Sequence, residues 1–115
     1  MSTAEFIASL ENTFQTGLGI VKKKNADYAN STNPFKNFES ASIVGLTPDR
    51  AILVRVLDKL SRISNLIDKD PAVVEVSLED TIVDTINYLA ILKAYRERNK
   101  VTAPKSSPFS GGPCD

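Results

Sequence analysis

The 115-residue chain has no histidine and no tryptophan, a single cysteine, and no excess of either charge, with 14 basic and 14 acidic side chains. Lack of histidine removes both the commonest general base and the commonest zinc ligand. Hydrolysis by a Ser-His-Asp triad is therefore excluded, and any metal has to be held by oxygen donors, which favours Mg²⁺ or Mn²⁺. With Cys114 alone, no internal disulfide can form, in keeping with a reducing compartment. Zero net charge supplies no general basic surface for nucleic acid or an anionic membrane. No apolar run approaches the ~20 residues of a membrane span, and the start of the chain lacks a basic region followed by an apolar one. The expectation is a cytoplasmic protein without a targeting segment or membrane partner.

What is present suits one small helical domain, since a chain of this length supports a single core. Ser2 and Glu5 are spaced as a capping box, and Phe6, Ile7, Leu10, Phe14, Leu18 and Val21 follow at helical intervals. A first helix is predicted from Thr3 to Lys24 or slightly beyond. Gly17 and Gly19 weaken it unless another helix has to approach closely there. A turn-rich loop follows, with Asn33 before Pro34 and the aromatics Tyr28, Phe35 and Phe38. These aromatics either plug the loop onto the core or form a pocket wall in which Tyr28 or a Phe stacks on a planar base and Asn30 or Asn37 bonds its edge.

Phe38 to Val44 reads as a short helix stopped by Gly45, and Thr47-Pro48 as the opening of a second long helix that ends near Asp68. Pro71 to Val76 reads as a connector. Ser77 to Arg98 reads as the last helix, with Leu78, Ile82, Thr85, Ile86, Leu89 and Leu92 as its core-facing stripe. The fold class predicted is all-α, three or four helices packed as an antiparallel bundle over residues 1–99. Residues 100–115 form a Pro/Ser/Gly-rich tail.

Two charged stripes stand out. Asp80, Asp84, Asn87 and Tyr88 share a face of the last helix, and two carboxylates one turn apart call for a nearby cation. Ser77 followed by Glu79 and Asp80 is also a capping pattern, which gives Asp80 a purely structural alternative. Asp84 has none. On the second long helix Arg55, Asp58, Lys59 and Arg62 form either a solvated ladder of ion pairs or a basic wall facing Asp80 and Asp84. In the second case Asp58, Asp80 and Asp84 hold Mg²⁺, Asp58 and Asp84 act on the reacting group, and Lys59 and Arg62 contact phosphate.

Lys24-Asn25-Ala26-Asp27-Tyr28, Asn37-Phe38, Gly45, Asp58-Lys59-Leu60-Ser61-Arg62 and Asp80-Thr81-Ile82-Val83-Asp84-Thr85-Ile86-Asn87-Tyr88 together resemble a family of small bacteriophage proteins. These are the nucleotide-modification-associated domain proteins, similar in turn to all-α nucleotide pyrophosphatases of the MazG kind. The resemblance spans roughly Phe6 to Tyr95. It implies a homo-oligomer that binds a nucleotide with Mg²⁺ between its long helices, with Lys24, Asp27, Tyr28, Asn37, Lys59, Arg62, Asn87 and Tyr88 toward the nucleotide. The pyrophosphatases hold metal with Glu-x-x-Glu and Glu-x-x-Asp. Here Arg55 stands three residues before Asp58, and the later pair, Asp80 and Asp84, is spaced by four. The expected activity is Mg²⁺-dependent nucleoside triphosphate pyrophosphohydrolysis. The alternatives are non-catalytic sequestration of a nucleotide or cyclic nucleotide, as in counter-defence, and a structural adaptor that self-associates through its apolar faces and docks its tail through Phe109.

Overall fold

A computed structural model of the chain describes residues 1–27 and 33–100, with the side chains of residues 26, 27 and 71–74 left out of the description. Four α-helices account for most of it: α1 (Thr3–Asp27), α2 (Lys36–Glu39), α3 (Pro48–Ile67) and α4 (Pro71–Asn99). Among the described residues there is no strand, and no helix is long and apolar enough to cross a membrane. The all-α bundle expected from periodicity is thus the fold observed.

Local chemistry sets the helix ends. The Glu5 amide donates to Ser2 Oγ at 3.1 Å and the Ser2 amide to Glu5 Oε1 at 3.4 Å, so the capping box starts α1. After α2 the chain runs through a 3₁₀ turn, Ser40–Val44, and reverses at Gly45, whose φ of 80° is a left-handed conformation that costs a side-chain-bearing residue. The amides of Gly45 and Leu46 donate back to the carbonyls of Ser42 and Ala41, at 3.0 and 3.1 Å, which closes the turn. Thr47 is extended ahead of Pro48, as a residue before proline prefers. Its hydroxyl bonds the Asp49 carboxylate rather than a helix amide.

The final helix corrects the sequence reading. Pro71 does not end in a connector: the helix begins at Pro71 and runs unbroken, because proline at the first turn has no amide that the helix needs. Ser77 therefore lies well inside α4 and cannot cap it, which removes the structural alternative offered for Asp80.

Helices α3 and α4 form an antiparallel hairpin and make the main contact of the fold, while α1 lies against α4 and does not reach α3. The hairpin core is small: Ala51, Ile52 and Val56 of α3 and Phe35 ahead of α2 are the buried apolar residues among those described. On α4, which packs against α3, Thr81 and Thr85 are buried. Each threonine hydroxyl donates to the carbonyl four residues earlier, at 2.7 Å, so burying it leaves no polar group unsatisfied. Of the stripe that spacing suggested, Thr85 is buried and Leu78, Ile86 and Leu92 are part-buried, whereas Ile82 and Leu89 remain exposed.

Segment 33–39 is pinned to the end of α4. The Phe35 ring meets Tyr95 edge-on at 5.4 Å, with the Arg98 guanidinium carbon 4.5 Å above Phe35. Phe38 meets Tyr88 edge-on at 6.3 Å. Both phenylalanines are plugs, as the simpler of the two sequence readings held.

Candidate functional site

The two helices of the hairpin turn unlike charges toward one another along one flank. By helical period Lys59 and Arg62 of α3, and Asp80 and Asp84 of α4, all lie on the same side of the line of core residues Ile52, Val56, Thr81 and Thr85. Lys59 Nζ stands 3.7 Å from Asp84 Oδ2, a contact of charges rather than a tight hydrogen bond, and both side chains are about one-third exposed. This partly exposed setting limits such a pair to ~0–1 kcal/mol. Arg62 is held more firmly. Its Nε donates to Thr81 Oγ1 at 3.2 Å and its Nη2 to Ser77 Oγ at 2.9 Å, which leaves the remaining guanidinium protons free to meet another acceptor.

These side chains line an open groove of about 590 Å³ with Val76, Ser77 and Thr81. That volume falls in the range of small-molecule sites, ~300–1,000 Å³. Asp58 is not in it. It is exposed on α3 and lines the adjoining depression of about 570 Å³ with Ser61, Asn65 and Leu66, on the far side of Lys59 and Arg62. The ion-pair ladder along α3 is not formed either, since Asp58 has no ion pair among the described residues and Lys59 reaches across to α4 instead.

The other sequence candidates are dispersed. Lys24 is exposed in the last turn of α1, and Asn37 is exposed on α2; neither lines the groove. Tyr28 and Asn30 lie outside the described residues, as does the side chain of Asp27. Asn87 Nδ2 donates to the Gly17 carbonyl at 3.2 Å, which makes this residue a clamp between α1 and α4. Tyr88 is half-buried against Phe38. Thr81 and Ser77 are the groove residues whose part the sequence reading missed. Their spacing of four, each three places before Asp80 and Asp84 and so on the same side of the helix, was the signal, but hydroxyls inside a helix carry little weight in a motif.

A divalent ion held by protein alone needs several converging carboxylates, and among the described residues no group of three acidic or thiol side chains is so arranged. Asp80 and Asp84 are a two-carboxylate set. That set fits Mg²⁺ only where further oxygen ligands arrive with a phosphate, the usual arrangement when Mg²⁺ accompanies a nucleotide.

The fold and groove define a helical bundle with a mixed-charge cleft along one flank of its hairpin. Comparison with protein-family models, with curated proteins and with solved structures gives no match.

Proposed function

We propose that the chain is a nucleotide-handling protein whose α3–α4 groove takes the phosphates of a nucleoside triphosphate together with Mg²⁺, and that it hydrolyses this substrate to the monophosphate and pyrophosphate. The supporting observation is the convergence of Lys59, Arg62, Asp80 and Asp84 on one open groove. Lys59 and the unused donors of Arg62 contact phosphate oxygens and offset charge that builds during reaction. Asp80 and Asp84 would hold Mg²⁺, which when bound would screen the phosphates and make phosphorus easier to attack. Exchanging the Lys59–Asp84 contact for a phosphate on one side and a cation on the other costs little, because the pair is long and partly exposed. In the reaction an oxygen of water, oriented by Asp84, bonds to the α-phosphorus. The bond from that phosphorus to the bridging oxygen breaks, pyrophosphate leaves, and the proton of the water passes to the carboxylate. The protein acts in the cytoplasm as a homo-oligomer.

Incubating the protein with each triphosphate and Mg²⁺ tests the hydrolysis: pyrophosphate release from at least one, lost in Asp84→Asn, is the expected result, and none from any refutes it. A second function, sequestration without chemistry, is favoured by the two-carboxylate set. Calorimetry with chelator separates the two, because sequestration survives removal of the metal.

A further inference from the structure

The hairpin has a second flank, opposite the charged groove, and it is apolar. Leu53, Leu57 and Leu60 of α3 are spaced by four and three, and Ile82 and Leu89 of α4 by seven, so each set lies on one face. In the antiparallel hairpin both sets border the core line on the side away from Lys59 and Asp84. They are between 40% and 63% exposed. At one end the Asp49–Arg96 ion pair, 3.7 Å, forms a charged rim. A separate apolar face lies on α1, where Phe6, Ile7, Leu10, Phe14 and Leu18 are between 40% and 57% exposed. Because α1 does not reach α3, the two faces cannot cover one another within one chain.

We propose that a second copy of this chain covers both faces. At roughly 180 Å² for a fully exposed Leu, Ile or Phe side chain, each face offers about 400 Å² of apolar area and the two together about 800 Å², which is what one partner of a stable interface buries. The two faces are also nearly equal in area, as a reciprocal two-fold contact requires when one face of each copy meets the other face of its mate. The five residues of each face carry no charge, so a partner recognised through charge has nothing to read. The charged grooves then point outward on the two sides of the dimer, open to solvent.

This arrangement deepens the homo-oligomer part of the function proposed above and is separable from its nucleotide part. Sedimentation velocity on the full chain at tens of micromolar is expected to give a mass of two copies of the 12.5 kDa chain. Leu57→Glu and Phe14→Glu are each expected to return it to one copy with helical circular dichroism retained, and Lys23→Glu on the polar face of α1 to leave it unchanged. A single-copy mass for the unaltered protein overturns the proposal, and needs no variant to fold. An oligomer that survives both glutamate substitutions overturns the assignment of the faces. Nucleotide binding measured on the same samples reports separately on the groove.

Discussion

The contact of α1 with α4 turns on Gly17. A Cβ built there meets Asn87 Oδ1 at 2.7 Å and Val83 Cγ1 at 3.5 Å; only the second is an ordinary contact. At Gly19, two residues on, nothing lies within 4 Å. Replacing an unhindered helical glycine by alanine stabilises by about 0.5–1 kcal/mol, so Gly19→Ala should raise the unfolding free energy by that amount, read in urea as a higher midpoint at constant slope. Gly17→Ala gains the same helix preference but displaces the Asn87 amide and breaks its bond to the Gly17 carbonyl, at a cost of about 0.5–1.5 kcal/mol, with some residual crowding besides. The net effect at position 17 is neutral to about 1 kcal/mol destabilising, and the two glycines should differ by about 1–2 kcal/mol. In an Asn87→Ala background the obstruction is gone and Gly17→Ala should become stabilising. That reversal of sign is the signature of direct coupling. If Gly17→Ala stabilises as much as Gly19→Ala in the unaltered protein, the close approach of α1 and α4 is wrong.

Two further outcomes follow from the packing and the charges. Arg98→Ala should cost about 1–2 kcal/mol in urea unfolding, since it removes the guanidinium from Phe35 and Tyr95 and from its bond to Asn33 Oδ1 at 3.1 Å; Arg98→Lys should recover less than half, lacking the planar fork. The Asp49 carboxyl should titrate below the usual 3.8, held there first by the Thr47 hydroxyl, then by the Arg50 amide and the charges of Arg50 and Arg96, against partial burial. Because its folded value is depressed, Asp49 stabilises the fold above the unfolded value, and that contribution is lost as pH falls through the folded one. Carboxyl-carbon NMR should show this, with Thr47→Ala moving Asp49 back toward 3.8.

The parts of the fold legible in the sequence were those fixed by local chemistry: the Ser2–Glu5 box, the reversal at Gly45 and the opening of α3 at Thr47-Pro48, although the Thr47 hydroxyl bonds Asp49 and does not make the helix cap expected of it. The start of α4 was misread because a proline after a polar pair marks a helix end and a helix start alike, and the valines after it suggested extended chain. The facing of α4 was read in part. Apolar spacing included Thr85, which is buried, but it also took in Ile82 and Leu89, which are exposed, and passed over Thr81, whose buried hydroxyl is satisfied within its own helix. Of the site, the facing of the α3 basic stripe toward Asp80 and Asp84 was legible as one of two readings; of the four charges only Lys59 and Asp84 form an ion pair, while Arg62 bonds the Thr81 and Ser77 hydroxyls. The outward turn of Asp58 was not, since its angle about α3 becomes informative only once the core line through Ile52 and Val56 is known.

The groove itself is tested most directly by amide chemical-shift mapping as a nucleoside triphosphate with Mg²⁺ is titrated into the labelled protein. Saturable shifts centred on Lys59, Arg62, Ser77, Asp80, Thr81 and Asp84, with the Leu53 and Leu57 amides unmoved, are the predicted result. Spectra unchanged by every triphosphate, or shifts gathered on the apolar flank instead, would contradict it.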